Sequence, residues 1–194
     1  MVPYSTPIIS MMNFKSPRNR RTKSVLINNN VFKLFAKWID KKNDDYTQQN
    51  MPYRFERLLR GTKDGFDAAK FHELCDNKGA TISLARIKDS KQIIGGYNPL
   101  NWYQNGQYAD SSDSFLFNTT DSDNLNSAQI GRISGSYGYA VYYDASYGPT
   151  FGGGNDLLAQ GNSWTANNHT YANISIPNNF IIDEYEVFKV VKLI

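Results

Sequence analysis

Two histidines and one cysteine supply all the imidazole and thiol in this chain of 194 residues, and two of those three groups stand together as His72 and Cys75. At spacing i, i+3 on a helix the two side chains are neighbours, so an imidazole could lower the thiol pKa and create a nucleophile or a peroxide-sensing thiolate. The same residues also share a face with Ala68 and Phe71, and on an apolar face a thiol is ordinarily an inert core group. The chain holds no second cysteine to resolve a sulfenic acid. A buried, structural Cys75 is therefore the expectation, with a redox-sensing Cys75 as the alternative.

The other candidate chemistries are thinner. A metal site would have to combine Cys75 and His72 with the distant His169 in N-N-H-T, or recruit carboxylates, so no metal or cofactor is expected. Asp121 with Asp123, and Asp183 and Glu184 with Glu186, read as carboxylates in turns or at a strand edge, with nothing to mark a general acid and base. Gly152-Gly153-Gly154 lacks the Lys-Ser/Thr of a phosphate loop and leads into a strand-like L-L-A. Gly95-Gly96 reads as the end of a strand, where a bulge or a close backbone approach calls for glycine. With no G-x-S-x-G elbow, kinase signature or triad, no catalytic residue is expected, and an uncharacterised hydrolase is the remaining enzymatic alternative.

The elements that would position these groups follow from periodicity. Residues Phe66 to Tyr97 read as a short helix, a glycine stop at Gly79 and a β-hairpin. The hairpin strands are Thr81–Ile87 and Gln92–Tyr97, joined by the polar turn Lys88 to Lys91. Upstream, Asn28-Asn29-Asn30 offers an N-cap to V-F-K-L-F-A-K-W-I-D-K-K. Its wide apolar face (Val31, Phe32, Leu34, Phe35, Trp38, Ile39) must dock on the rest of the chain, and Lys41 and Lys42 are expected in its last turn. A short strand is expected at Leu58 to Arg60. Further strands are expected at Asp113–Asn118, in A-Q-I-G-R-I and Y-A-V-Y-Y on either side of the turn Gly135-Ser136, and after the glycine run. The loop Asn98 to Tyr108 is anchored by Trp102. The closing E-Y-E-V-F-K-V-V-K-L-I supports a strand or, on the same residues, a helix. Many short strands with turns between them, and few helices, predict a mainly β fold with flanking helices, an antiparallel two-sheet sandwich.

Composition bounds the rest. Thirteen Tyr and eleven Phe against 20% charged residues suit pleated surfaces, and a net charge of +3 falls short of what nucleic-acid binders carry. A single cysteine excludes an intrachain disulfide and points to a cytoplasmic setting. No stretch predicts membrane insertion. Residues 1–24, with Lys15, Arg18, Arg20, Arg21 and Lys23, read as a basic, solvated tail; a nuclear or mitochondrial address is the sharper alternative. The expected organisation is this tail, a docking helix and connector over 25–50, and one domain over 51–194.

Several motifs, taken in order, resemble the TLDc domain family. They are F-H-E-L-C-D-N-K-G (Phe71, His72, Glu73, Cys75, Asp76, Gly79), I-I-G-G-Y (Gly95, Gly96), F-L-F, F-G-G-G (Gly152, Gly153, Gly154) with Asp156 and Leu157, and Y-E-V-F with Glu186. The lead-in R-G-T-K-D-G-F is similar to the family's approach to the first motif, and W-I-D to the leader found before TLDc domains of fungal proteins. The resemblance covers about Met51 to Leu193. It implies a two-sheet sandwich whose motif residues are mostly structural, a link to oxidative-stress resistance, and a non-catalytic role in protein binding, with a subunit of the vacuolar-type proton ATPase (V-ATPase) as partner. After F-G-G-G the chain departs from animal members, which continue with a G-L-W-I-D-like edge strand where this one has L-L-A-Q-G-N.

Overall fold

The computed structural model describes residues 23–121, 123–135 and 137–193; the basic run Lys15 to Arg21 and Ser136 of the predicted turn lie outside them. Helix α1 (Asn29–Ile39) begins where the asparagine run predicted, with Asn28 Oδ1 accepting from the backbone N–H groups of Asn30 (2.9 Å) and Val31 (3.4 Å). Its last turn carries Lys37, and Lys41 and Lys42 lie beyond it, because Asp40 caps the helix and Lys41 takes a left-handed conformation (φ 53°). The C-terminal end is held by Arg132, whose Nη2 donates to the Trp38 carbonyl at 2.5 Å.

The strands then run β1 (Tyr53–Arg60), β2 (Thr81–Ile87), β3 (Ile93–Asn98), β4 (Gln107–Ala109), β5 (Phe115–Thr119), β6 (Gln129–Arg132), β7 (Val141–Tyr143), β8 (Thr150–Phe151), β9 (Leu157–Gln160), β10 (Ser163–Thr165) and β11 (Asn179–Lys192). Helices α2 (Gly61–Asp64) and α3 (Ala68–Cys75) fill the gap between β1 and β2. All strand pairings are antiparallel. One sheet holds β1, β11, β2, β3, β5 and β6, the other β4, β7, β8, β9, β10 and the start of β11, so β11 is the strand both share. The assembly stays open rather than closing into a barrel, and is the predicted sandwich of mainly β structure.

The first sheet is buried on both faces. Phe55, Ile82, Leu84, Ile93, Tyr97, Phe115, Phe117 and Phe188 face α1, while Leu59, Ala85, Ile94, Leu116 and Val187 face the second sheet with Val141, Phe151, Leu157 and Trp164. Alternation in F-L-F therefore divides side chains between two cores, not between core and solvent. The α1 layer is aromatic: Phe35 packs on Phe117 (ring centroids 4.7 Å) and Phe32 on Phe55 (4.7 Å) and Phe188 (5.2 Å).

Several expectations are corrected. The strand foreseen at Leu58 to Arg60 is eight residues long; the closing run, by contrast, is the strand that its residues supported, 14 residues long, and not a helix. Gly79 is not the stop of α3, which ends at Cys75; it turns the chain into β2 with φ 82°, its N–H bonded to Asn101 Oδ1 at 2.7 Å. Gly95 and Gly96 lie inside β3. A Cβ on Gly96 would come within 2.6 Å of the Phe151 ring, so the glycine lets the two sheets close. The L-L-A run is not an edge: β9 lies between β8 and β10 with Leu157, Leu158 and Ala159 buried.

Candidate functional site

The motif residues gather at three places. At the first, Asp67 caps α3 by accepting from the Lys70 N–H (2.8 Å), and the helix turns Phe71, His72 and Cys75 inward. Phe71 lies fully buried with its ring 5.4 Å from that of Trp102. His72 does not serve the thiol. Its Nε2–H donates to the carbonyls of Asp144 (2.9 Å) and Tyr147 (3.0 Å), and Nδ1 lies 2.8 Å from Asp76 Oδ1. The imidazole thus ties α3 to the turn after β7. Asp76 Oδ2 accepts from Gln104 Nε2 (2.8 Å), while Glu73 is exposed and pairs with Lys70.

Cys75 has no exposed surface, and burial pushes its thiol pKa up, with the Asp76 carboxylate acting in the same direction. That is the reverse of what an activated nucleophile requires. We expect a small alkylating reagent at neutral pH to leave Cys75 unmodified in the native chain and to modify it fully once denaturant is added; intact mass measured before and after reads the difference. Rapid native labelling would place the thiol in reach of oxidants.

At the second place the polypeptide turns through Gly152, Gly153, Gly154 and Asn155 into β9. Asp156, 1% exposed, directs Oδ1 at three successive backbone N–H groups, those of His169 (2.9 Å), Thr170 (2.8 Å) and Tyr171 (2.9 Å). Such a run of amides is a nest for an anion, and here the chain's own carboxylate fills it. Gly152 has φ 83°, and a Cβ there would lie 1.9 Å from Asp156 Oδ2, so both conformation and space demand glycine. Gly153 abuts Tyr139, and Gly154 abuts His169. Above the turn lies a tyrosine surface. Tyr108, 40% exposed, packs its ring 5.1 Å from Tyr139, which is 47% exposed, and 4.6 Å from Tyr142.

The third place differs from what the sequence predicts. Glu184 and Glu186 are not at an edge; they sit on β11, flanked by β1 and β2, and are almost wholly buried. Glu184 accepts from Arg60 Nε (2.7 Å) and from the N–H (3.0 Å) and hydroxyl (2.6 Å) of Thr62. Glu186 accepts from Arg57 Nη1 (2.8 Å), the Val25 N–H and the Ser24 hydroxyl. Asp183 pairs with Arg86 at 2.8 Å. Glu184 and Glu186, set among Ile182, Tyr185, Val187 and Phe188, were the signal that partners had to exist, since buried carboxylates are paired.

Burial works to raise the Glu184 pKa, but the Thr62 and Arg60 bonds together outweigh it and hold the carboxyl below its ordinary 4.5. A lowered folded-state pKa contributes stability that is full above 4.5 and lost as pH falls through the folded value. Urea midpoints measured from about pH 6 to 3 should therefore drop less steeply in Glu184→Gln than in the parent, although the variant is the weaker at pH 7. Parallel curves would contradict the assignment.

Among the described residues no three His, Cys, Asp or Glu side chains converge on a metal-sized space, and no helix is long and apolar enough to cross a membrane. A surface hollow of about 540 Å³ between Leu26, Arg86, Lys91, Asp123 and Asp183 carries neither histidine nor cysteine. The profile of the TLDc domain matches residues 20–191, nearly the whole chain and α1 with it. No curated protein matches the sequence.

Proposed function

Since this chain belongs to the TLDc domain family, a family linked to oxidative stress, we propose that it is a non-catalytic interaction module acting in the cytoplasm, with a subunit of the V-ATPase as its partner. The observation that carries the binding reading is the tyrosine surface over the glycine turn. Tyr108 and Tyr139 expose large amphipathic rings already held against each other and against Tyr142, and such rings give contact area at little cost in side-chain freedom. The motif groups at all three places are engaged in holding the fold: His72 in bridging α3 to a turn, Asp156 in its nest, Glu186 in an ion pair. The ATPase itself enters from the family resemblance.

The test is a direct one. The tagged full chain is incubated with purified V-ATPase and, separately, with yeast lysate, beside Tyr108→Ala/Tyr139→Ala. Capture of ATPase subunits by the parent, with at least about a tenfold loss in the double variant, is expected for two central aromatic contacts. No enrichment over bare resin, where another TLDc domain enriches the enzyme, ends the partner assignment. Equal capture by the variant moves the contact elsewhere. A redox-sensing Cys75 has no observation in its favour beyond the residue type.

A further inference from the structure

We propose that Ser24 is a phosphorylation site whose modification unlatches the segment leading into α1. The Ser24 hydroxyl, in a residue 7% exposed, donates to Glu186 Oε2, and its oxygen accepts from the N–H groups of Leu26 and Ile27, both at 3.0 Å. Val25 N–H adds a bond to the same carboxylate at 3.2 Å. Arg57 completes the cluster, donating to Glu186 Oε1 at 2.8 Å and to the Lys23 carbonyl at 2.9 Å. One serine thus fastens the chain to β11 four residues ahead of the Asn28 cap. Leu26 and Ile27 pack into the same aromatic layer as Phe32 and Phe35.

The sequence ahead of that hydroxyl is Arg20-Arg21-Thr22-Lys23. Arginines three and four residues before a serine form the charge pattern that the acidic substrate cleft of an arginine-directed kinase takes. In the transfer, Ser24 Oγ attacks the γ-phosphorus of a nucleoside triphosphate held by that kinase. The Oγ–P bond forms as the bond from that phosphorus to the bridging β-phosphate oxygen breaks. The hydroxyl proton passes to the kinase's base, and the nucleoside diphosphate leaves.

The modified side chain cannot return to its place. A phosphoserine carries about −1.5 to −2 charge at neutral pH and has exchanged the proton that Glu186 accepts for a dianion facing a fully buried carboxylate. Arg57 is one cation for both anions, and Arg60, next along β1, is committed to Glu184. Repulsion and lack of room together expel residues 23–27, and the helix they lead into loses its tether. Because Ser24 is almost covered, the transfer itself needs the segment to open first, so modification captures an opening that the unmodified latch reverses.

Two arms test this on the full chain. In one, an arginine-directed serine/threonine kinase and magnesium ATP are added and the phosphate is mapped by tandem mass spectrometry, with Ser24→Ala beside it. In the other, phosphoserine is placed at 24 by stop-codon suppression and amide exchange is followed. The proposal expects phosphate on Ser24, and exchange over 25–39 faster by about tenfold or more, while the central amides of β3 and β5 stay protected. Ser24→Ala alone, which removes a bond without adding charge, should speed exchange much less. The proposal is overturned if the kinase leaves Ser24 unmodified, if phosphoserine leaves exchange unchanged, if Ser24→Ala loosens the segment equally, or if protection is lost throughout the fold.

Discussion

Trp102→Ala is expected to cost about 3–5 kcal/mol of stability, the range for deleting a large buried aromatic side chain. The indole is 1% exposed and meets Phe71 of α3 at 5.4 Å, Phe151 of β8 at 5.6 Å and Tyr143 of β7 at 6.0 Å, so one side chain joins the helix to the second sheet. Its Nε1–H also donates to Thr81 Oγ1 at 2.7 Å, and Thr81 has no exposed surface. Truncation leaves a cavity and a buried hydroxyl without that donor. Trp102→Phe separates the two effects: it keeps most of the packing and gives up the hydrogen bond, a loss of about 1–3 kcal/mol. Tyr103→Ala, one residue on and 39% exposed, should cost far less. Urea unfolding followed by far-ultraviolet dichroism reads all three, and a Trp102→Ala loss below about 1 kcal/mol would contradict the joining role.

A comparable effect is expected at Asp156, for a different reason. Alanine there removes the acceptor of three backbone N–H groups at once, two of them in the buried residues Thr170 and Tyr171. Each unmatched buried donor costs about 1–3 kcal/mol, so a total loss of about 3 kcal/mol or more follows. Asp156→Asn retains Oδ1 and should lose less, although its new amide group stands where Oδ2 has no partner among the described residues. Gly152→Ala should be as harmful as Asp156→Ala, because its Cβ needs the space of that carboxylate and its φ of 83° strains any L side chain. Amide exchange at 152–156 and 169–171 should rise in all three variants, in step with stability. Exchange that rises only at the mutated residue would mean the turn stands without the nest.

How much of this was legible in the sequence depended on whether a residue's partner was local. The α1 cap lies within three residues of Asn28, and the β2–β3 hairpin is closed by its own turn, so both could be read from the chain. The inward turn of Cys75 followed from helical spacing against Phe71. β1 was foreseen only in part, because R-F-E-R-L-L-R pairs with β11 across more than a hundred positions and its alternation is broken by a bulge between Arg57 and Leu59. The acids of β11 were misplaced for the same reason: their apolar neighbours imply that Glu184 and Glu186 have partners, but those partners, Arg60 and Arg57, lie on that distant strand. The tyrosine surface was invisible for a third reason. Tyr108 and Tyr139 meet only after β4 pairs with β7, and burial, not residue type, separates the exposed rings from Tyr143 and Tyr171.

On the proposed reading the motif residues hold the fold and the exposed tyrosines are assigned to partner contact. That assignment separates a binding module from a thiol chemist, and the two differ most plainly in cells. Survival after peroxide challenge is measured in cells lacking their own TLDc protein and supplied with the parent chain, Cys75→Ala or Tyr108→Ala/Tyr139→Ala, at matched protein levels. The account predicts that Cys75→Ala protects as well as the parent and that the tyrosine variant does not. Protection lost with Cys75 and kept without the two tyrosines would contradict it.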